Sequence, residues 1–125
     1  MHRDDLSVHK EAAVLVGVGL PERPLEDYPE PLAELSGLVQ TAGASVLGKL
    51  VQKRQKPDQT TYLGKGKVDE LGEIAEISGA DVIVFDNELE PAQVRNLESR
   101  TKVKVVDRTE LILDIFATQI GRAHV

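Results

Sequence analysis

Apolar residues recur along this chain with two different periods, and the alternation between them sets out an α/β domain. Residues 12–18 (Ala-Ala-Val-Leu-Val-Gly-Val) and 82–85 (Val-Ile-Val-Phe) are apolar on both faces, as central strands covered by helices on each side require. Residues 45–52 and 103–107 are shorter on apolar side chains; Gly48 and Lys49 place the former at a sheet edge. Between the strands the period lengthens. Leu32, Leu35, Ser36 and Val39 form one stripe, with Pro31 opening that helix and Gly43 ending it. Val68, Leu71, Gly72, Ala75 and Ser78 form the stripe of a second helix, which Gly79 stops by taking a left-handed conformation. A third helix has Pro91 at its first position, Leu89 and Val94 as a hydrophobic staple, and Glu90 as an unfavourable cap. A fourth starts at Thr109 with a broad apolar face through Leu111, Ile112, Ile115 and Phe116.

Strand and helix alternating in this way give a small parallel four-stranded sheet, connected by right-handed crossovers, with helices on both faces. Placing the two most apolar strands in the centre predicts the order 2-1-3-4. Residues 1–10 read as a polar lead-in and residues 20–31, with four prolines, as an extended linker. The α/β domain then runs over 11–107. In such sheets function gathers at the carboxyl ends of the strands. That rim carries Gly17, Gly19, Lys53, Arg54, Asp86, Asn87, Asp107 and Arg108.

Composition narrows the function classes. The chain has 125 residues, enough for one domain with a real core. It has no cysteine, which excludes disulfides and thiolate metal sites and favours a reducing, cytoplasmic setting. His2, His9 and His124 lie at the two ends without ligand spacing, so no metal site is expected. Residues 12–20 are too few to span a bilayer. The net charge of −6 argues against a general nucleic-acid binder, yet residues 49–67 carry +5 and the remainder −11. The cations Lys49, Lys53, Arg54, Lys56, Lys65 and Lys67 either focus a basic patch on an acidic body or simply solvate a loop.

Short motifs decide little on their own. Gly17-Val18-Gly19 lacks the third glycine and the helix of a dinucleotide fingerprint. Gly64-Lys65-Gly66-Lys67 opens a helix and is a candidate phosphate site, but Val68 follows where a P-loop has serine or threonine, and Thr61 stands where its first glycine belongs. The alternative there is a sharp turn that needs glycine. Residues 81–86 are similar to the phospho-acceptor strand of receiver domains, although Gly17 and Gly19 occupy the positions of the acidic pair that chemistry needs. Asp86 is expected instead to bond the following turn, with Arg108 on the same rim. Tyr62 could stack on a base or cover the sheet. Aromatics are 3 % of the chain, so any RNA contact is expected to be mainly with phosphates.

Several longer stretches, taken in order, carry a resemblance. Residues 41–44 (TAGA), 52–54 (QKR), 61–67 (TYLGKGK), 84–89 (VFDNEL), 91–97 (PAQVRNL) and 106–117 (VDRTELILDIFA) resemble the N-terminal domain of the HflX family of translational GTPases. The resemblance covers residues 32–117. It implies a domain that precedes a helical linker and a GTP-binding domain, in a protein that binds the large ribosomal subunit and splits or rescues stalled ribosomes. Residues 108–119 would start the linker. GTP and Mg²⁺ would belong to the full-length parent, a GTPase, since neither a P-loop nor an Asn-Lys-x-Asp motif occurs in these residues. The last six residues, 120–125, match what a sequencing adapter encodes in one frame and are expected to break the helix.

The leading expectation is therefore a non-catalytic ribosome-docking domain that meets rRNA through Lys53, Arg54, Lys56, Tyr62, Lys65, Lys67 and Arg108. Its alternatives are a nucleotide or phosphate site on Gly64 to Lys67, and an α/β interaction module without a ligand.

Overall fold

A computed structural model describes residues 11–25 and 30–123. Its elements are β1 (Ala12–Gly19), α1 (Ala33–Thr41), β2 (Ser45–Lys53), α2 (Lys65–Ser78), β3 (Val82–Phe85), α3 (Pro91–Thr101), β4 (Lys104–Asp107) and α4 (Arg108–Ala123). The strands form one sheet in the order β2-β1-β3-β4, every neighbouring pair parallel, as the apolar pattern predicts. The chain steps outward from β1 to β2 and then crosses back to β3 and β4. Right-handed crossovers consequently place α2 and α3 on one face and α1 and α4 on the other.

The alternation of side chains along β1 sends one set to each face. Val14, Val16 and Val18 pack with Leu50, Ile83, Phe85 and Val105 beneath Val68, Leu71, Val94 and Leu97. Ala13, Leu15, Val82, Val84 and Val106 pack beneath Leu32, Leu35, Val39 and Leu111. A register shift between Ala13 and Val14 leaves Leu47 as an extra residue in β2 and turns it outward.

Helix ends follow local chemistry. Gly79 caps α2 at φ 73°, and Gly43, one residue past the Ala42 cap of α1, takes φ 97°. Glu90, an unfavourable cap by residue type, completes a capping box: its side chain accepts the Gln93 N–H, and the Gln93 side-chain oxygen accepts the Glu90 N–H at 2.8 Å. Three sequence expectations change. Residues 20–23 form a β-turn, with the Arg23 N–H donating to the Leu20 carbonyl at 2.9 Å and Pro21 at its second position, where an extended linker was expected. Pro31 lies two residues ahead of α1. Gly121 does not break α4, which continues to Ala123. The lead-in 1–10 and residues 26–29, 124 and 125 fall outside the described residues.

Candidate functional site

The rim at the carboxyl ends of the strands is built in two halves. At the switch between β1 and β3, where open sheets often bind ligands, the protein fills the crevice with its own side chains. β3 ends at Phe85 while β1 continues, so Val18 faces a gap where a strand backbone would otherwise sit. Asn87 closes it. Its Oδ1 accepts the Val18 N–H and its Nδ2 donates to the Val18 carbonyl, both at 2.9 Å. Asp86, 4 % exposed, binds Arg23 and Arg108 at 3.0 Å each, and Arg108 also pairs with Glu34 of α1. Burial raises the Asp86 carboxyl above its ordinary value, and Arg23 pulls it back. Asp86 thus meets Arg108 on the rim as expected and engages its guanidinium there, whereas the following turn, expected to be bonded by Asp86, is held by Asp107, whose Oδ2 accepts the Leu89 N–H at 2.9 Å.

The second half is the basic loop. Asp58 organises it: its Oδ1 accepts the N–H groups of Thr60 at 2.8 Å and Thr61 at 3.0 Å, and these bonds hold its carboxyl below the usual value. An antiparallel bridge joins Asp58 to Tyr62. Helix α3 holds the loop from the side, with Gln93 Nε2 donating to the Asp58 carbonyl and Asn96 Nδ2 to the Thr60 carbonyl, each at 2.9 Å. These bonds fix the loop as a strap rather than leaving it a freely solvated segment.

Tyr62 corrects the set of proposed RNA contacts. It is 9 % exposed at φ 67°, with its ring edge-on to Phe85 at a centroid distance of 6.5 Å. Burial raises its phenol pKa, opposed by a hydrogen bond with Asn87. The ring covers the sheet and offers no face to a base, so Tyr62 leaves the candidate contacts.

Lys53, Lys56 and Lys65 are exposed on the strap and the first turn of α2. Lys67 is half-engaged in an ion pair with Glu70 at 2.9 Å. Arg54 is fixed more firmly: its backbone N–H donates to the Gly19 carbonyl at 2.9 Å and its Nε to the Lys56 carbonyl at 3.0 Å. Gly64 gives it room, because a Cβ there would lie 2.8 Å from Arg54 Nη1 and 3.1 Å from Gln52 Nε2. Gln52 Oε1 accepts the Gly64 N–H at 2.9 Å. The glycine at the start of α2 thus serves close packing, at φ −65° and ψ 154° open to any residue. Gly17 and Gly19 act similarly beneath Leu25 and Leu32, which accounts for the abortive dinucleotide motif.

Sequence reasoning missed Arg23, Gln52, Asn87's bridging role and Gln93's second bond. For Arg23 a signal existed: proline after Leu20 marks a turn whose fourth residue returns to the rim.

The family model described as GTP-binding GTPase N-terminal matches residues 29–117. The chain belongs to this family. It is 44 % identical over 109 residues to a protein named GTPase HflX from Alkalihalophilus pseudofirmus, covering 87 % of this chain and 26 % of that protein. The protein of the same name from Escherichia coli is 42 % identical over 115 residues, with 91 % and 26 % covered. The chain thus corresponds to an N-terminal HflX domain and spans about a quarter of the length of these relatives. A crystal structure of SsGBP with GDP shares the fold at a TM-score of 0.63 and 21 % identity, covering 86 % of this chain and 29 % of that one. A GTP-binding protein from Sulfolobus solfataricus in complex with GDP aligns at 0.59 and 21 %, covering 86 % and 30 %. Among the described residues no helix is long and apolar enough to cross a membrane.

Proposed function

We propose that this domain docks an HflX-type GTP-binding protein onto the large ribosomal subunit, in the service of splitting or rescuing stalled ribosomes. The observation that carries the reading is a cationic strap held in one shape. Lys53 ends β2, Arg54 and Lys56 stand on the loop and Lys65 opens α2, and Asp58, Gln93 and Asn96 fix the loop between them, so phosphate contacts would form without first ordering it. Membership of the family and the HflX names of its relatives support the parent's identity as a GTPase.

GTP and Mg²⁺ do not fit this chain's own residues. At the first turn of α2 the Gly64 N–H is already bonded to Gln52, and buried Val68 stands where a P-loop hydroxyl would meet magnesium. Hydrolysis is therefore assigned to the remainder of the parent, beyond a linker that α4 would begin. The domain's part is binding and positioning.

Replacing Lys53, Arg54 and Lys65 together by alanine tests the reading. If each neutralises one phosphate, the slope of log affinity for large subunits against log salt should flatten by about two to three units. An unchanged slope would take the strap out of the interface.

A further inference from the structure

Beside the strap lies a cleft of about 340 Å³ whose two walls differ in chemistry. Lys53, Arg54 and Gln55 line it from the end of β2, and Gly19, Leu20, Pro21 and Pro24 from the end of β1 and the turn that follows. Both walls are held in place. The turn 20–23 is closed by its own backbone hydrogen bonds and pinned through Arg23 to Asp86. The opposite wall is joined to the first by the bond from the Arg54 N–H to the Gly19 carbonyl. The Arg54 guanidinium is braced by the Lys56 carbonyl, and its charge helps hold the Asp58 carboxyl below its ordinary pKa.

The geometry points to this cleft as the seat of one unpaired RNA nucleotide, its phosphate on Arg54 and its base against Pro21 and Pro24. The inference rests on the docking reading and sharpens it from RNA in general to single-stranded RNA. An arginine fork matches phosphate oxygens in pairs, and its plane also stacks on bases. The volume is near the lower end of small-molecule clefts, about 300–1,000 Å³, which suits a single nucleotide. A double helix keeps its bases paired and stacked, so it cannot lay a base face on the apolar wall. Lys53 and Arg54 in the lining supply the charge complementarity to a phosphodiester. With Tyr62 buried, the proline wall and the guanidinium provide the contact surface that an aromatic would otherwise give.

Two substitutions test the seat without relying on loss of charge. Arg54→Lys keeps the charge and removes the fork. Gly64→Ala keeps every charge but places a Cβ 2.8 Å from Arg54 Nη1, while φ −65° and ψ 154° accept alanine. Fluorescence anisotropy of the 125-residue chain with a labelled single-stranded RNA, its duplex form and ATP or GTP as competitors reads the outcome. The expected result is preference for the single strand, with about tenfold weaker binding in each variant and no fall in melting temperature for Gly64→Ala. Equal binding of duplex and single strand, unchanged affinity in both variants, or displacement of RNA by micromolar ATP or GTP would each overturn the proposal.

Large-subunit pelleting separates the two readings. If Lys65→Ala flattens the salt slope while Arg54→Lys and Gly64→Ala do nothing, docking stands and the nucleotide seat fails. If the unaltered chain does not pellet with subunits, the docking reading fails, and the oligonucleotide measurements still decide the seat.

Discussion

Asn87→Ala removes an amide that stands in for a missing stretch of strand. β3 pairs with β1 only from Val82 to Phe85, opposite Ala13 to Val16, after which the Asp86 N–H reaches the Val16 carbonyl at 2.8 Å. The next outward-facing pair on β1 belongs to Val18, and both of its groups are taken by the Asn87 side chain at 2.9 Å. Val18 is 1 % exposed and Asn87 8 %, so water does not readily replace the amide. Each orphaned buried group costs about 1–3 kcal/mol. Two of them give an expected loss of roughly 2–6 kcal/mol. That is a large share of the ~5–15 kcal/mol that stabilises an ordinary domain.

The chain has no tryptophan, so urea unfolding followed by far-ultraviolet circular dichroism is the suitable assay. The midpoint should fall with the slope m unchanged, and thermal unfolding should drop by roughly 10–20 °C. Asn87→Asp should also destabilise, since it retains an acceptor for the Val18 N–H but turns a carboxylate on the Val18 carbonyl. A loss below about 0.5 kcal/mol in Asn87→Ala at constant m would refute the reasoning, because ordinary surface substitutions reach that size. The Val18 groups would then have found other partners.

Other expectations follow from the same geometry. Gly17→Ala drives a Cβ to 2.6 Å from Leu32 Cδ2 and 3.0 Å from Leu25 Cδ1, both in the core, and should cost about 1–3 kcal/mol in urea unfolding. Gly79→Ala meets no atom within 4 Å but must hold φ 73°, so a loss of about 1–2 kcal/mol should come from backbone strain alone. Asp58 has a folded pKa below its ordinary 3.8; its stabilisation is full above that value and is lost as pH falls through the folded pKa. Asp58→Ala should therefore lower stability at pH 7, and its gap to the unaltered chain should narrow as pH falls from 3.8 through the folded pKa, as read by melting temperature across pH.

The sheet was legible because burial on two faces leaves an unambiguous mark. Residues 12–18 and 82–85 have no polar side, which makes them central, and the strand order follows from that with the handedness of crossovers. The helical stripes were equally plain, down to Gly79, since a left-handed cap has few alternatives to glycine. Boundaries shifted where the determining contact is tertiary. Pro31 suits a first helical position locally, yet α1 begins at Ala33 behind buried Leu32. Gly121 weakens a helix by only about 1 kcal/mol, and α4 continues past it.

The rim was legible in its charges but not in its pairings, and the difference is physical. A run of lysines announces itself in composition, whereas an ion pair such as Arg23 to Asp86 joins residues 63 apart in sequence through the fold. Tyr62 shows the same limit. Its neighbours in sequence are basic and glycine-rich, which suggests an exposed base-stacking ring, while its neighbours in space are Phe85 and Asn87. Gly64 reverses the pattern: a residue that reads as freedom of the chain turns out to be the space in which Arg54 and Gln52 sit. Binding therefore depends less on how many cations the loop carries than on which of them is held in place. Arg54 is braced at its backbone, its Nε and its flank, whereas Lys67 answers Glu70 and Arg108 answers Asp86 and Glu34. A cation already positioned loses little side-chain entropy on meeting a phosphate, so the strap's contribution to binding should concentrate at Arg54 rather than spread evenly over its lysines.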